Sequence, residues 1–154
     1  MPAAGVRDKM ILGTGTDIVD ARRIAEVLDR HQDRFVHRIF TESEQAAAVQ
    51  SANQAAFFAK RFAVKEAVYK ALSGSGVRPL GWRDAETINA ADGAPLVRLY
   101  GRCKTALETM TPDGYKASLF LSISDEAPYA LAFVVVDAVP IEWKMPHGQN
   151  RQRK

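Results

Sequence analysis

The stretch from Phe57 to Leu72 constrains the chain most, because it must be a helix and must bury a broad face. Alanines and long unbranched side chains favour the helical state there, and Phe58, Phe62, Ala63, Val64, Ala67, Val68, Ala71 and Leu72 recur at three- and four-residue steps. Gly74 and Gly76 then stop the helix. Phe62, Glu66 and Lys70 stand four residues apart, so their side chains stack one turn above another near an edge of the buried face. A carboxylate and an ammonium group are thereby aimed at one place.

On a solvated helix a Glu66–Lys70 pair is an ordinary salt bridge worth about 0.3–0.5 kcal/mol. The setting here is different. Lys60, Arg61 and Lys65 add cations to the same helix, and Ser73-Gly74-Ser75-Gly76 offers a pliable backbone that can approach a phosphate. Cations gathered about one carboxylate suit a polyanion held with a divalent metal.

The pattern Phe62-x-x-Lys65-Glu66-Ala67-x-x-Lys70, followed by a Gly-x-Gly turn, resembles the signature of the 4′-phosphopantetheinyl transferases, in particular the bacterial holo-acyl-carrier-protein synthase type. The resemblance covers residues 10 to 138. It implies an α+β fold, an antiparallel sheet packed on helices, and the transfer of phosphopantetheine from coenzyme A to a serine of an acyl carrier protein with Mg2+.

A chain of 154 residues that is 47% hydrophobic and 25% charged is expected to form one soluble domain, here residues 10–140. Residues 1–9 read as an N-terminal extension without the apolar core of a signal peptide, and no apolar run is long enough to cross a bilayer. A cytoplasmic protein is expected, with no membrane partner. The single cysteine, Cys103, excludes an internal disulfide and fits a reducing compartment. His31, His37 and His147 lack metal-ligand spacing, so any metal would be held by oxygen.

The formal charge of +3 is the whole contribution of residues 141–154, where Lys144, Arg151, Arg153 and Lys154 face Glu142 alone. The rest of the chain is neutral, which argues against a nucleic-acid surface. The tail is polar after Trp143, without periodicity, and is expected to be disordered.

Along the chain, Met10 to Val19 reads as a strand and Ala21 to about His31 as a helix capped by Asp20. Thr41 and Glu44 form a capping-box pattern for a helix from Glu42 to Val49. Trp82 to Ile88 and Leu96 to Tyr100 read as strands about an Asp92-Gly93 turn, and Gly101 to Met110 as a helix. Lys116 to Ser124 alternates cleanly, and Tyr129 to Val139 is apolar enough for the centre of a sheet. The Gly13-Thr-Gly-Thr16 segment lacks the third glycine and the later acidic partner of a dinucleotide loop.

Asp17 has no evident structural duty, since Asp20 is the better cap. Gly15-Thr16-Asp17-Ile18 resembles the N-terminal Gly-x-Asp-Ile motif of the same family, whose aspartate binds magnesium. That likeness implies Asp17 and Glu66 as metal ligands, Glu66 as the group that takes the serine proton, and Lys70 as the group that neutralises departing 3′,5′-ADP. It also implies Arg61 near the 3′-phosphate, and Pro95 of Gly93-Ala94-Pro95 beside the coenzyme. Arginines at 22, 23, 30, 34 and 38 form either a solvated face or a docking surface for an acidic partner. The resemblance implies the second, with Arg23, Arg30 and Arg34 binding the carrier protein, and a homotrimer with sites at subunit contacts.

One departure stands out. The family has His-x-Ser-Ile or His-x-Ser-Leu in the penultimate strand, whereas this chain has Phe120-Leu121-Ser122-Ile123. Ser122 is retained as a coenzyme contact, but a phenyl ring offers no donor to a phosphate. Two other functions remain open: a binding module for coenzyme A or carrier protein with catalysis impaired by Phe120, and a metal-dependent phosphohydrolase that uses the same two carboxylates with water as nucleophile.

Overall fold

The computed structural model describes residues 8–143. The expected basic end of the tail lies outside them. In chain order the elements are β1 (Met10–Asp20), α1 (Ala21–Ile39), α2 (Glu42–Val49), α3 (Gln54–Ala71), β2 (Ala85–Asn89), β3 (Pro95–Leu99), α4 (Gly101–Met110), β4 (Tyr115–Glu126) and β5 (Tyr129–Pro140). The strands make an antiparallel sheet in the order β1-β5-β4 and a separate β2-β3 hairpin. This is the α+β architecture expected, with β5 at the centre of the larger sheet.

α3 lies across the inner face of that sheet. Ala59, Ala63, Ala67 and Ala71 form a fully buried seam four residues apart, and β5 presents Ala130, Ala132, Val134, Val136 and Ala138 to it. Small residues let the two backbones approach closely. A β-carbon on Gly13 would collide with the Ala71 carbonyl oxygen, and one on Gly15 with that of Ala67. The Gly-Thr-Gly-Thr segment is thus a packing device, with glycine demanded by crowding against a helix.

The caps read from sequence hold. Asp20 Oδ1 accepts the Arg22 backbone N–H at 2.9 Å, and Thr41 and Glu44 make the reciprocal box. Of the boundaries that differ, two have an identifiable cause. α1 continues past His31, where the backbone breaks to φ −145°, because Phe35, Val36 and Ile39 supply a second apolar stripe to the core. Trp82 to Asp84 is a short 3-10 turn, so the strand starts only at Ala85. The cause is distant in sequence. Asp84 Oδ2 accepts the Gly81 and Arg102 N–H groups at 3.2 and 3.1 Å, which ties this turn to the start of α4.

β5 is buried on one face only. Tyr129, Leu131 and Phe133 are exposed on the outer face, together with Ile18 of β1 and Phe120 of β4. Cross-strand pairing puts Ile18 against Leu131, and Phe120 against Val135, so these side chains form a continuous apolar surface.

Candidate active site

Strand alternation decides where Asp17 goes. It shares the inner face of β1 with Gly13 and Gly15, so the close approach that those glycines permit brings it against α3. Lys70, on the last turns of α3, meets it there: Nζ lies 3.0 Å from Asp17 Oδ1 and donates to the Thr16 carbonyl at 2.7 Å. Glu66, one turn earlier, is half-buried in the same place. Its carboxyl is pushed above the usual range by burial and then by the negative charge of Asp17, while Lys70 pulls the other way. Asp17, Glu66 and Lys70, read from separate segments, therefore converge.

The Lys70–Asp17 pair stays in reach of solvent, with the two side chains 52% and 18% exposed. Aromatic side chains flank Glu66 along α3. Trp82 stacks on Phe62 at 5.3 Å and meets Tyr69 at 5.1 Å, and these two α3 residues lie four before and three after the carboxylate. Beyond Lys70 the chain turns through Ser73–Ser75, and Gly76 is left-handed at φ 72°, a conformation that favours glycine. Gly74 and Gly76 thus follow the lysine within two turns.

Other expected residues are placed elsewhere. Lys65 is not among the cations facing Glu66. It is fully buried and pairs with Glu44 at 2.9 Å, which corrects its grouping with a polyanion site. Arg61 is 9% exposed, with its guanidinium 4.1 Å from the Phe57 ring centroid and its Nε without a partner among the described residues. Burial lowers its pKa against the pull of Glu44. Pro95 opens β3 in the hairpin. Ser122 pairs with Phe133, which pairs with Thr16, so it belongs to the outer face of the sheet, opposite Asp17. Arg23, Arg30 and Arg34 are exposed on α1, and none forms a salt bridge among the described residues. Cys103 is buried on α4, its thiol pushed up to about 12 by desolvation, which fits a structural role.

The inward turn of Lys65 had a sequence signal. Phe58, Arg61, Lys65, Val68 and Leu72 fall at steps of three and four, so the two cations interrupt an apolar stripe and must point the same way. Their partner, Glu44, carries no such signal beyond its place in the capping box.

Comparison with known proteins gives the family. The profile of the 4′-phosphopantetheinyl transferase superfamily matches residues 13–134. The chain belongs to that superfamily. Within the family, a holo-acyl-carrier-protein synthase of Mesorhizobium japonicum is 46% identical over 138 residues, covering 90% of this chain and all of the relative. The crystal structure of the Neisseria meningitidis synthase superposes with a TM-score of 0.71 at 36% identity, over 82% of this chain and 98% of that one. The Helicobacter pylori synthase, solved in complex with coenzyme A, gives 0.64 at 30% identity over 80% and 98%. No helix among the described residues is long and apolar enough to cross a membrane.

Proposed function

We propose that this chain moves the 4′-phosphopantetheinyl group of coenzyme A onto a serine hydroxyl of an apo acyl carrier protein, with Mg2+ held by Asp17 and Glu66 and 3′,5′-ADP released. The convergence of Asp17, Glu66 and Lys70 in a chain of this family carries the reading. The donor set fits magnesium. Asp17 and Glu66 lie near enough for the charge of the first to add to burial in raising the pKa of the second, so two carboxylates are available to one cation. Magnesium takes only one or two protein carboxylates and leaves its other positions to phosphate oxygens and water. When bound, it neutralises charge on the pyrophosphate.

The chain's own groups do the rest. Glu66 accepts the serine proton as the Oγ–phosphorus bond forms at the β-phosphate. The bond from that phosphorus to the bridging oxygen breaks, and its electron pair leaves on 3′,5′-ADP. Lys70 neutralises or protonates that oxygen, and Asp17 holds the ammonium in place. The backbone at Gly74 and Gly76 approaches the phosphates. The family likeness assigns Arg61 to the 3′-phosphate; its guanidinium lies buried against Phe57, with Nε lacking a partner among the described residues.

Ser122 and Asp17 lie on opposite faces of one sheet, and the outer face is apolar, with Ile18 61%, Phe120 58% and Phe133 44% exposed. Both facts support a contact between copies in which Ser122 of one completes the site of another; that the assembly is a homotrimer, with Pro95 beside the coenzyme, is what the family likeness implies. Arg34 and Arg38 rim a hollow of about 300 Å3 floored by Val27, Phe35, Ile39 and Trp82, which with Arg23 and Arg30 suits an acidic, amphipathic carrier helix.

Incubation with coenzyme A, Mg2+ and an apo carrier protein tests the proposal by mass spectrometry. The carrier should gain the phosphopantetheinyl mass, and Glu66→Gln should abolish the gain while the protein still melts cooperatively. Turnover retained in that variant refutes the role of Glu66. Binding without mass gain would instead favour the impaired module that Phe120 allows, and phosphate release without a carrier the hydrolase.

A further inference from the structure

Lys65 and Glu66 are neighbours on α3, so whatever fixes the rotation of the helix at one fixes the aim of the other. The Lys65–Glu44 pair is 0% exposed on both sides. Both Glu44 oxygens are engaged: Oε1 accepts the Thr87 N–H at 2.9 Å and Oε2 the Thr41 N–H at 3.0 Å. Lys65 Nζ also donates to the Ala85 carbonyl. Beside it, Glu86 accepts from the Thr41 hydroxyl at 2.7 Å and the Tyr100 hydroxyl at 2.9 Å. One buried polar network thus ties α3 to the start of α2 and to the β2-β3 hairpin. Ala85 follows the 3-10 turn whose Trp82 packs on Phe62 and Tyr69, the α3 residues that flank Glu66 in sequence.

Stability alone does not account for such a pair, since buried ion pairs are commonly replaced by apolar side chains without loss. What the network adds is orientation. We propose that Lys65 and Glu44 are positioning residues for catalysis: their ion pair locks α3 at the rotation that aims Glu66 at Asp17 and Lys70. The proposal rests on the role given to Glu66 above. Neither residue touches substrate; each acts through the helix, where a displacement of about 1 Å at a reacting group can lower a rate about a hundredfold.

The test is the double variant Lys65→Met/Glu44→Gln, which removes both charges together. It is expected to melt cooperatively and to keep its KM for coenzyme A, while kcat falls by about ten- to a hundredfold. The rise in melting temperature that Mg2+ and coenzyme A give together should match that of wild type, because binding is kept and only the aim of Glu66 is lost. Wild-type kcat, or a fall in kcat matched by an equal loss of coenzyme A binding, would overturn the proposal. Should the double variant not melt cooperatively, Glu44→Asp keeps the charge, shortens the reach and carries the same expectations and the same refutation. Glu66→Gln separates the two readings: if it is active, the role of Glu66 fails; if it is inactive while the double variant turns over normally, only the positioning role fails.

Discussion

Two lysine–carboxylate pairs hang from the same helix at nearly the same distance, and they have opposite surroundings. Lys65 meets Glu44 at 2.9 Å with both side chains fully buried, and Lys70 meets Asp17 at 3.0 Å with 52% and 18% exposed. Separation therefore says nothing about their difference. The buried pair is closed, because the Glu44 oxygens are taken up by Thr41 and Thr87 and the lysine by Ala85. The open pair leaves a lysine and two carboxylates where solvent reaches them, so its charges can be re-paired with an incoming polyanion. Five residues along one helix separate an anchor from a working group.

The sharpest way to break this contrast is to remove one cation at a time. Lys65→Met strands a desolvated carboxylate and should cost about 3–5 kcal/mol, read by denaturant unfolding. A loss under about 1 kcal/mol would mean that water reaches Glu44 and that the two pairs are alike. Gly15→Ala comes next. Its β-carbon meets the Ala67 carbonyl, a backbone atom that cannot rotate away, so β1 must lift from α3 and carry Asp17 with it. We expect about 1–3 kcal/mol lost, and turnover lost beyond what stability explains. Lys70→Met should cost under about 1 kcal/mol of stability, as an exposed pair does, yet most of the turnover.

The comparison also shows what the sequence carries. Asp20, Thr41 and Glu44 announce helix starts because capping is local, and Leu119, Leu121 and Ile123 announce a half-buried strand because alternation is local. The Glu66–Lys70 row was legible for the same reason, and Asp17 through a motif that local physics alone did not explain. Partner choice was not legible. Lys65 and Lys70 differ only in which side of α3 they leave, and Glu44 becomes a buried anion only once α2 folds over that side. The turn at Trp82 likewise depends on Asp84 meeting Arg102, and the one-sided burial of β5 on where α3 lies.

The smallest expected effect sharpens the contrast most, because it reads the open site without any assay of transfer. In the metal-free protein Glu66 has a pKa raised above its ordinary value of 4.5, by burial first and by Asp17 second. The folded state then binds more protons than the unfolded chain between those two values, so ionising Glu66 costs stability as pH rises through that window. Below 4.5 the carboxyl is protonated in both states, and nothing is lost. Glu66→Gln removes the penalty. Its melting temperature should equal that of wild type at the acid end, pull ahead as pH rises, and level off once Glu66 is ionised in the folded protein. Adding Mg2+ with coenzyme A should cancel the advantage, because wild type then gains a partner for the charge that glutamine lacks. A variant no more stable than wild type across the whole range would mean that the charges of Glu66 and Asp17 do not compete, and that the open site is as well paired as the closed one.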